Sequence, residues 1–177
     1  MKRHNVLAIF TVFLGMCCYA QTSPSTETGK QVSSEPVFSI TVDPPTGPVH
    51  LGSPINVTIT LINISGKEIY LSFDRGRNSG YKAFKILLTR DNREIETTLL
   101  NRKLTGRLRP DDPLDDDLFG SSILLTYPPG KMLVMMLDMT QLYDIKSPGL
   151  YTVDVSRFDE YSKTTVRSKP VTLNIVP

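Results

Sequence analysis

Short apolar runs with a period of two fill the chain from Pro36 to its end. In the clearest, Ile55 to Leu61, every second residue is apolar. The same alternation recurs at residues 38–42, 69–73, 151–155 and 171–175. This period places successive side chains on opposite faces of a strand, with one face toward a core. Proline, glycine, asparagine and aspartate separate the runs. The pattern predicts an all-β, immunoglobulin-like antiparallel β-sandwich of seven to eight strands.

Turn residues predict how these strands connect. The Asn63–Lys67 segment separates two alternating runs and predicts a hairpin between them. Further strands are expected at 81–89 and 95–100, joined by a turn at 90–93, and at 132–137 after a Pro-Pro-Gly turn. One helical turn is expected at 140–145. The segment from Asn101 to Ser122 is the long loop, and loops of this length are often functional or disordered.

The first residues have the composition of a secretory signal peptide. Lys2 and Arg3 precede an apolar run from Val6 to Met16, and a cleavage pattern of the small-x-small type ends at Ala20. We therefore expect a signal peptide at 1–20, a flexible polar tether at 21–35 and the sandwich domain at 36–177. The apolar run is short for a membrane span, so no span is expected after signal removal. The predicted location is the periplasm, the outer surface or the medium.

Cysteine content and charge narrow the classes of partner. Both cysteines, Cys17 and Cys18, lie within the predicted signal, so the exported form would have no disulfide. Met16 fits poorly before a lipidated cysteine, which disfavours a lipid anchor at either position. Loss of Lys2 and Arg3 lowers the basic count from 20 to 18, against 18 acidic residues. This balance does not favour nucleic acid, and the predicted partner is a protein or another envelope component.

Catalytic machinery is missing from the sequence pattern. The predicted exported form has one histidine, His50, in a turn-rich context and no cysteine, which disfavours a nucleophile–base pair and a zinc site. No serine lies in a Gly-x-Ser-x-Gly elbow, and no phosphate-binding glycine loop is present. We therefore expect a protein that is not an enzyme and has no cofactor.

An acidic run in the long loop is the candidate metal site. Its carboxylates could supply the oxygen ligands that calcium prefers; they are Asp111, Asp112, Asp115, Asp116 and Asp117. The spacing is not that of an EF-hand. Basic residues just upstream, including Arg102 and Arg109, could neutralise the run instead. The sequence favours a self-paired, solvated loop and leaves a calcium-stabilised domain as an alternative.

A methionine-rich segment offers a second candidate metal site. Met132, Met135, Met136 and Met139 have the thioether sulfur that copper(I) binds. On a strand, however, Met132 and Met136 would lie on one face, and Met135 and Met139 on the other. The continuous apolar run therefore predicts a buried core strand.

Two family resemblances complete the interpretation. Leu142-Tyr143-Asp144, Pro148-Gly149-Leu150-Tyr151 and the segment from Asn63 to Phe73 resemble exported Ig-like β-sandwich proteins of bacteria that have no assigned role. The resemblance implies a structural corner that involves Tyr143, Pro148, Gly149 and Tyr151, where a tyrosine hydroxyl bonds to backbone. A second, narrower resemblance depends on an Asn-turn hairpin and an aromatic strand, with the residues Leu61, Asn63, Ser65, Ile69, Leu71, Phe73, Tyr81, Phe84 and Asp91. In this arrangement the chain resembles the intracellular proteinase inhibitor family of Bacillus, although the tryptophan of that family is absent here.

These observations favour one function and leave two alternatives. The leading hypothesis is a non-catalytic exported module that binds a protein or a surface through sheet edges and the 101–122 loop. The inhibitor resemblance implies the first alternative, a proteinase inhibitor that presents an exposed loop. The second alternative is the calcium-stabilised structural domain.

Overall fold

A computed structural model describes residues 35–75, 78–113 and 121–177. The predicted signal peptide and all of the predicted tether except Glu35 lie outside these residues. The described strands are β1 (Phe38–Asp43), β2 (Val49–His50), β3 (Asn56–Asn63), β4 (Ile69–Asp74), β5 (Lys85–Arg90), β6 (Arg93–Glu94), β7 (Ser122–Tyr127), β8 (Met132–Asp138), β9 (Gly149–Asp159), β10 (Thr164–Arg167) and β11 (Val171–Val176). The helices are α1 (Ser79–Lys82), α2 (Leu99–Thr105) and a 3-10 turn at Met139–Gln141.

The strands form an all-β, immunoglobulin-like sandwich, as the sequence predicts. One sheet has the order β1-β3-β8, and a second has the order β2-β11-β9-β5-β6 with β10 also paired to β9. A two-stranded sheet, β4-β7, lies apart from both. Every pairing is antiparallel except that of β2 with β11. The described residues contain eleven strands, four of which the sequence does not predict. β2, β6 and β10 are too short to show alternation, and β7 begins at the last residue of the segment interpreted as the long loop.

Alternate residues of the long strands form one core. In β3 the inward side chains of Val57, Ile59 and Leu61 are fully buried. Val153 and Val155 of β9 are equally inaccessible and belong to the same cluster. Burying an aliphatic side chain of this size stabilises a fold by about 1.5–3 kcal/mol. The predicted alternation of β3 and β9 is confirmed, and it positions their outward residues on the surface.

The predicted hairpin between β3 and β4 is wrong. β3 pairs with β1 and β8, whereas β4 pairs with β7. The buried Asn63 side chain makes the segment cross between sheets: its amide nitrogen donates to the carbonyls of Lys67 at 2.8 Å and Tyr127 at 2.7 Å. Its oxygen accepts from the Ser65 amide at 2.9 Å. The turn residues were identified, but their bonds connect β3 to the end of β7 instead of returning the chain along β3.

One predicted strand is shorter than expected, and another is replaced by a helix. The first begins at Lys85 instead of residue 81, because Ser79–Lys82 forms α1. The predicted strand at 95–100 is wrong. After the turn only Arg93–Glu94 pairs with β5, Thr97 makes an isolated bridge with Tyr143, and α2 begins at Leu99. There the Thr98 hydroxyl caps α2 by accepting from the Asn101 amide at 3.2 Å, and Gly106 ends the helix with φ 68°. The long loop therefore begins within α2, and its last residue, Ser122, is the first of β7.

The prediction that 132–137 is a strand is confirmed, but its burial on both faces is wrong. β8 belongs to the β1-β3-β8 sheet, and each sheet of a sandwich has only one face toward the core. Leu137 is buried, whereas Met132, Val134 and Met136 are 57–69% exposed. The continuous apolar run does not distinguish a buried strand from an edge strand with an apolar outer face.

Candidate functional site

The described part of the acidic run is paired with arginine. The Asp112 carboxylate accepts from Arg102 Nε at 2.7 Å and Nη2 at 2.5 Å, and from the Arg109 amide at 2.8 Å. These bonds hold the pKa of Asp112 well below its usual range, chiefly because of the Arg102 side chain. Asp111 is exposed, and Asp115, Asp116 and Asp117 lie outside the described residues. In the described ranges, no group of three or more His, Cys, Asp or Glu side chains is placed to hold a metal.

Three of the four predicted corner residues, Pro148, Gly149 and Tyr151, lie at the start of β9, and Tyr143 lies between the 3-10 turn and this strand. The Tyr151 hydroxyl donates to the Ser147 carbonyl at 2.6 Å, across the Pro148-Gly149 turn. The buried Tyr143 donates to the Ile86 carbonyl of β5 at 2.8 Å, and its burial raises the pKa of the phenol. Both hydroxyls therefore satisfy backbone carbonyls, which is a structural role.

The candidate thioether ligands and His50 lie in different elements of the fold. Met132 and Met136 lie on the outer face of β8, Met135 is half-buried and Met139 is fully buried in the 3-10 turn. The exposed His50 is in β2, with its Nδ1 atom 2.6 Å from the Pro177 carbonyl oxygen. The structure does not bring the four thioethers together on one face.

An aromatic cleft lies between β4 and the turn that joins β9 to β10. Its volume is about 280 Å³, and three of its lining residues are aromatic side chains that remain 40–48% exposed: Tyr70, Phe158 and Tyr161. Such rings have large apolar surfaces that become buried on binding, while the tyrosine hydroxyls can still bond. We call this surface the aromatic cleft.

Tyr161 is held in position by the β9–β10 turn. Asp159, fully buried, accepts from the Tyr161 amide at 2.9 Å and from the Ser162 hydroxyl at 2.7 Å. The Tyr161 hydroxyl accepts from the Tyr70 amide of β4 at 2.7 Å. The phenol therefore occupies the backbone position at which a neighbouring strand would pair with β4. One ring of the cleft is fixed before any partner arrives, which lowers the entropy cost of binding.

Arg157 lies beside these rings and also connects the sheets. Its guanidinium donates to the carbonyls of Ala83 at 2.7 Å and Ser72 at 2.8 Å. It also stacks over the Phe73 ring, 4.6 Å from the centroid. Desolvation lowers the pKa of Arg157, although an arginine of this kind keeps its charge at neutral pH. The cleft therefore combines exposed rings with a cation that is held rigidly.

A larger cavity of about 620 Å³ adjoins the aromatic cleft. It lies along β5 and α2, and Arg157 and Phe158 line both cavities. Its other lining residues include Leu104 and Arg107 near the start of the long loop. A partner in the aromatic cleft could therefore also contact the surface beside α2.

The sequence did not indicate the aromatic cleft. Tyr70 is in β4, whereas Phe158 and Tyr161 lie about ninety residues later, and only the fold brings them together. Tyr70 and Phe158 each lie at outward positions of an alternating strand, which was the one available signal.

Comparison with known proteins gives distant similarities of structure alone. No family model and no curated protein matches, so these comparisons support neither family resemblance. The CARDB domain of a Pyrococcus furiosus protein is similar with a TM-score of 0.39 and 9% identity, over 80% of this chain and 95% of that domain. A beta-glucosidase from Listeria innocua is similar with a TM-score of 0.38 and 16% identity, over 78% of this chain. This chain spans 16% of the glucosidase, and neither similarity indicates what the chain binds. Among the described residues, no helix is long and apolar enough to cross a membrane.

Proposed function

We propose that this chain is a non-catalytic exported module that binds another protein through the aromatic cleft. The N-terminal signal pattern supports export. The observation that carries the binding role is the cluster of Tyr70, Phe158 and Tyr161 around one cleft, beside Arg157. Tyrosine, phenylalanine and arginine are enriched in protein interfaces, where a few such residues contribute most of the binding energy.

The edge of β4 explains why the surface accepts a partner without a change of fold. Tyr161 and Arg157 already bond to the outward backbone groups of Tyr70 and Ser72, so these groups need no new strand. A partner can therefore bury the rings by contact between side chains. The contact would be of the adhesion type, in which loops and strand ends of a sandwich meet a second protein.

Two outward residues of β9 give a matched pair of variants. Phe158 lies at the cleft end of the strand, and Leu150 lies on the same face at the other end with 64% exposure. Truncation of each removes an exposed apolar side chain and leaves the core intact. Only Phe158→Ala alters the aromatic cleft.

The test is an affinity pull-down from envelope and secreted fractions of the source organism. The full-length exported protein is compared with its Phe158→Ala and Leu150→Ala variants. We expect a discrete protein to be retained by the parent and by Leu150→Ala, and its affinity for Phe158→Ala to fall about 30-fold, as for an interface residue worth about 2 kcal/mol. Equal retention by Phe158→Ala would contradict the proposal. So would a ligand that survives proteinase treatment of the fractions. A retained protease would indicate the inhibitor alternative.

A further inference from the structure

The outward backbone of β8 is open for strand pairing. The backbone N–H of Asn63 donates to the Lys131 carbonyl at 3.1 Å, and the backbone N–H of Met139 donates to the Ile55 carbonyl at 2.8 Å. Both bonds connect odd-numbered residues of this segment to the β3 side. Bonding in an antiparallel pair alternates, so the N–H and C=O groups of Met132, Val134 and Met136 point away from β3. Among the described residues, β8 pairs with β3 alone.

The end of β8 supports this assignment of direction. The amide of Asp138, an even-numbered residue, donates to the Tyr81 hydroxyl of α1 at 3.3 Å, on the side away from β3. α1 therefore covers the last outward group of the strand. The open segment is Met132 to Met136.

Two other edges of the sandwich, those of β4 and β5, are covered by side chains or backbone. The Tyr161 hydroxyl and Arg157 bond to the outward groups of β4. On β5, the Ile86 carbonyl accepts from Tyr143, and the Leu88 carbonyl accepts from the Ile95 amide at 3.0 Å. Covering an edge in this way prevents unwanted pairing with another chain. β8 lacks such a cover between Met132 and Met136 in the part of the chain that the structure describes.

The side chains of the open segment are apolar and uncharged. Met132, Val134 and Met136 lie on the exposed face, and Leu133 and Met135 are half-buried on the other. The strand has no proline, lysine or bulge within this segment, which are the usual means of blocking an edge. Pairing with a charged peptide would desolvate its charges without a counter-charge here. A neutral, apolar strand is the complementary occupant.

We propose that β8 pairs antiparallel with β8 of a second copy of this chain. A two-fold axis through Val134 brings Val134 opposite Val134 of the partner subunit, and Met132 opposite Met136 of the partner subunit. Each of the three pairs joins residues whose backbone groups both point outward, which permits about six hydrogen bonds. The contact is isologous, so it closes at two copies.

Charge and side-chain placement are compatible with this register. Lys131 lies opposite Leu137 of the partner subunit, so no like charges meet. The pairing ends there, because Tyr81 of α1 occupies the outward side of Asp138. The exposed thioethers and Val134 pack across the axis on the outer face. The result is one continuous six-stranded sheet with the order β1-β3-β8, then the same strands of the partner subunit in reverse.

The dimer does not use the aromatic cleft. Its contact is made by β8, whereas the cleft lies between β4 and the β9–β10 turn. The assembly can therefore be tested separately from the proposed function. A contact confined to one strand edge is small, so we expect a dissociation constant on the order of micromolar.

Two substitutions at Val134 and one control test the pairing. Val134→Lys puts like charges opposite each other at the axis, while the exposed side chain leaves the core unchanged. Val134→Pro removes an N–H that points away from β3, a position at which an edge strand tolerates proline. Leu150→Lys is the control, since it puts the same charge on an exposed apolar site of β9, which has paired strands on both sides.

The measurement is sedimentation equilibrium of the full-length exported protein over about 1–500 µM, a range chosen around a micromolar constant. We expect a monomer–dimer equilibrium for the parent and for Leu150→Lys, and a dissociation constant raised at least about tenfold in both Val134 variants. Circular dichroism of each variant checks the monomer fold.

Several results would overturn the proposal. They are a parent that stays monomeric throughout, an assembly larger than two copies, and an unchanged dimer in Val134→Pro. If Val134→Pro does not fold, Val134→Lys alone decides, and an unchanged dimer in that variant would overturn the proposal. Equal disruption by Leu150→Lys would indicate association through exposed apolar faces instead of the β8 edge.

Discussion

Replacement of Asn63 by aspartate tests how the chain crosses from β3 to β4. Asn63 is 1% exposed, and its amide nitrogen donates to Lys67 and Tyr127 carbonyls, while its oxygen accepts from the Ser65 amide and hydroxyl. The Asn63→Asp change keeps the shape and both Ser65 bonds. It removes both donations and puts carboxylate oxygen against carbonyl oxygen. The substitution is therefore specific to the bonds that connect β3 to the end of β7.

The expected cost follows from those two bonds. A buried carbonyl that loses its donor costs about 1–3 kcal/mol, and the Lys67 carbonyl is the less buried of the two. The total is about 2–4 kcal/mol, which for a domain of this size lowers Tm by about 4–15 °C. Scanning calorimetry of parent and variant at pH 7 measures this change. Asn174→Asp, at an exposed position of β11, is the control.

Acid conditions provide the refuting measurement. Burial disfavours the charged form, so the pKa of the introduced carboxyl should be higher in the folded variant than in the unfolded chain. The destabilisation relative to the parent should then shrink as pH falls through this raised pKa, because the protonated acid can donate one bond. A Tm difference below about 1 °C, or one that is equal at pH 7 and pH 4, would refute the assigned bonds.

Three further predictions concern the loop and the corner. The pKa of Asp112 is lower in the folded protein than in the unfolded chain. The ionised carboxylate therefore stabilises the fold fully above the unfolded pKa of about 4, and this stabilisation is lost as the pH falls below that value. In a series of melts at decreasing pH, Asp112→Asn should lose less Tm than the parent. Tyr143→Phe leaves the Ile86 carbonyl without its donor and should cost about 1 kcal/mol in a urea unfolding titration, whereas an unchanged midpoint would contradict a structural role. Addition of calcium should leave Tm unchanged, because Arg102 already engages Asp112; a rise that is lost on replacing Asp115 and Asp117 by asparagine would restore the calcium alternative.

Alternation predicted the long strands because burial on one face is a local property of the sequence. β3 and β9 could be identified in this way, and so could the turn at residues 90–93. Strand pairing depends on contacts between distant residues, which a local pattern does not contain. The residues at 63–67 are clearly turn residues, but the bond from Asn63 to the Tyr127 carbonyl directs the chain to β7 instead of back along β3. The signal for α2 lies in Thr98 and Gly106, a cap and a left-handed stop, but the strand predicted at 95–100 takes up the first residues of the helix.

The exposed outer face of β8 could not be predicted from the sequence, for a different reason. A run of apolar residues has the same pattern in a strand that is buried on both faces and in a strand whose outer face is exposed. The aromatic cleft likewise depends on the β9–β10 turn, which brings Tyr161 against β4. Surface function here depends on strand order, and strand order is set by the whole fold.

Photo-crosslinking in the source organism tests the central claim most directly. A photoreactive phenylalanine analogue replaces Phe158 in one full-length variant and Leu150 in another. The proposed function predicts a discrete protein adduct from position 158 and none from position 150. Equal adducts from both positions, or none from position 158, would contradict the assignment of the aromatic cleft as the binding surface.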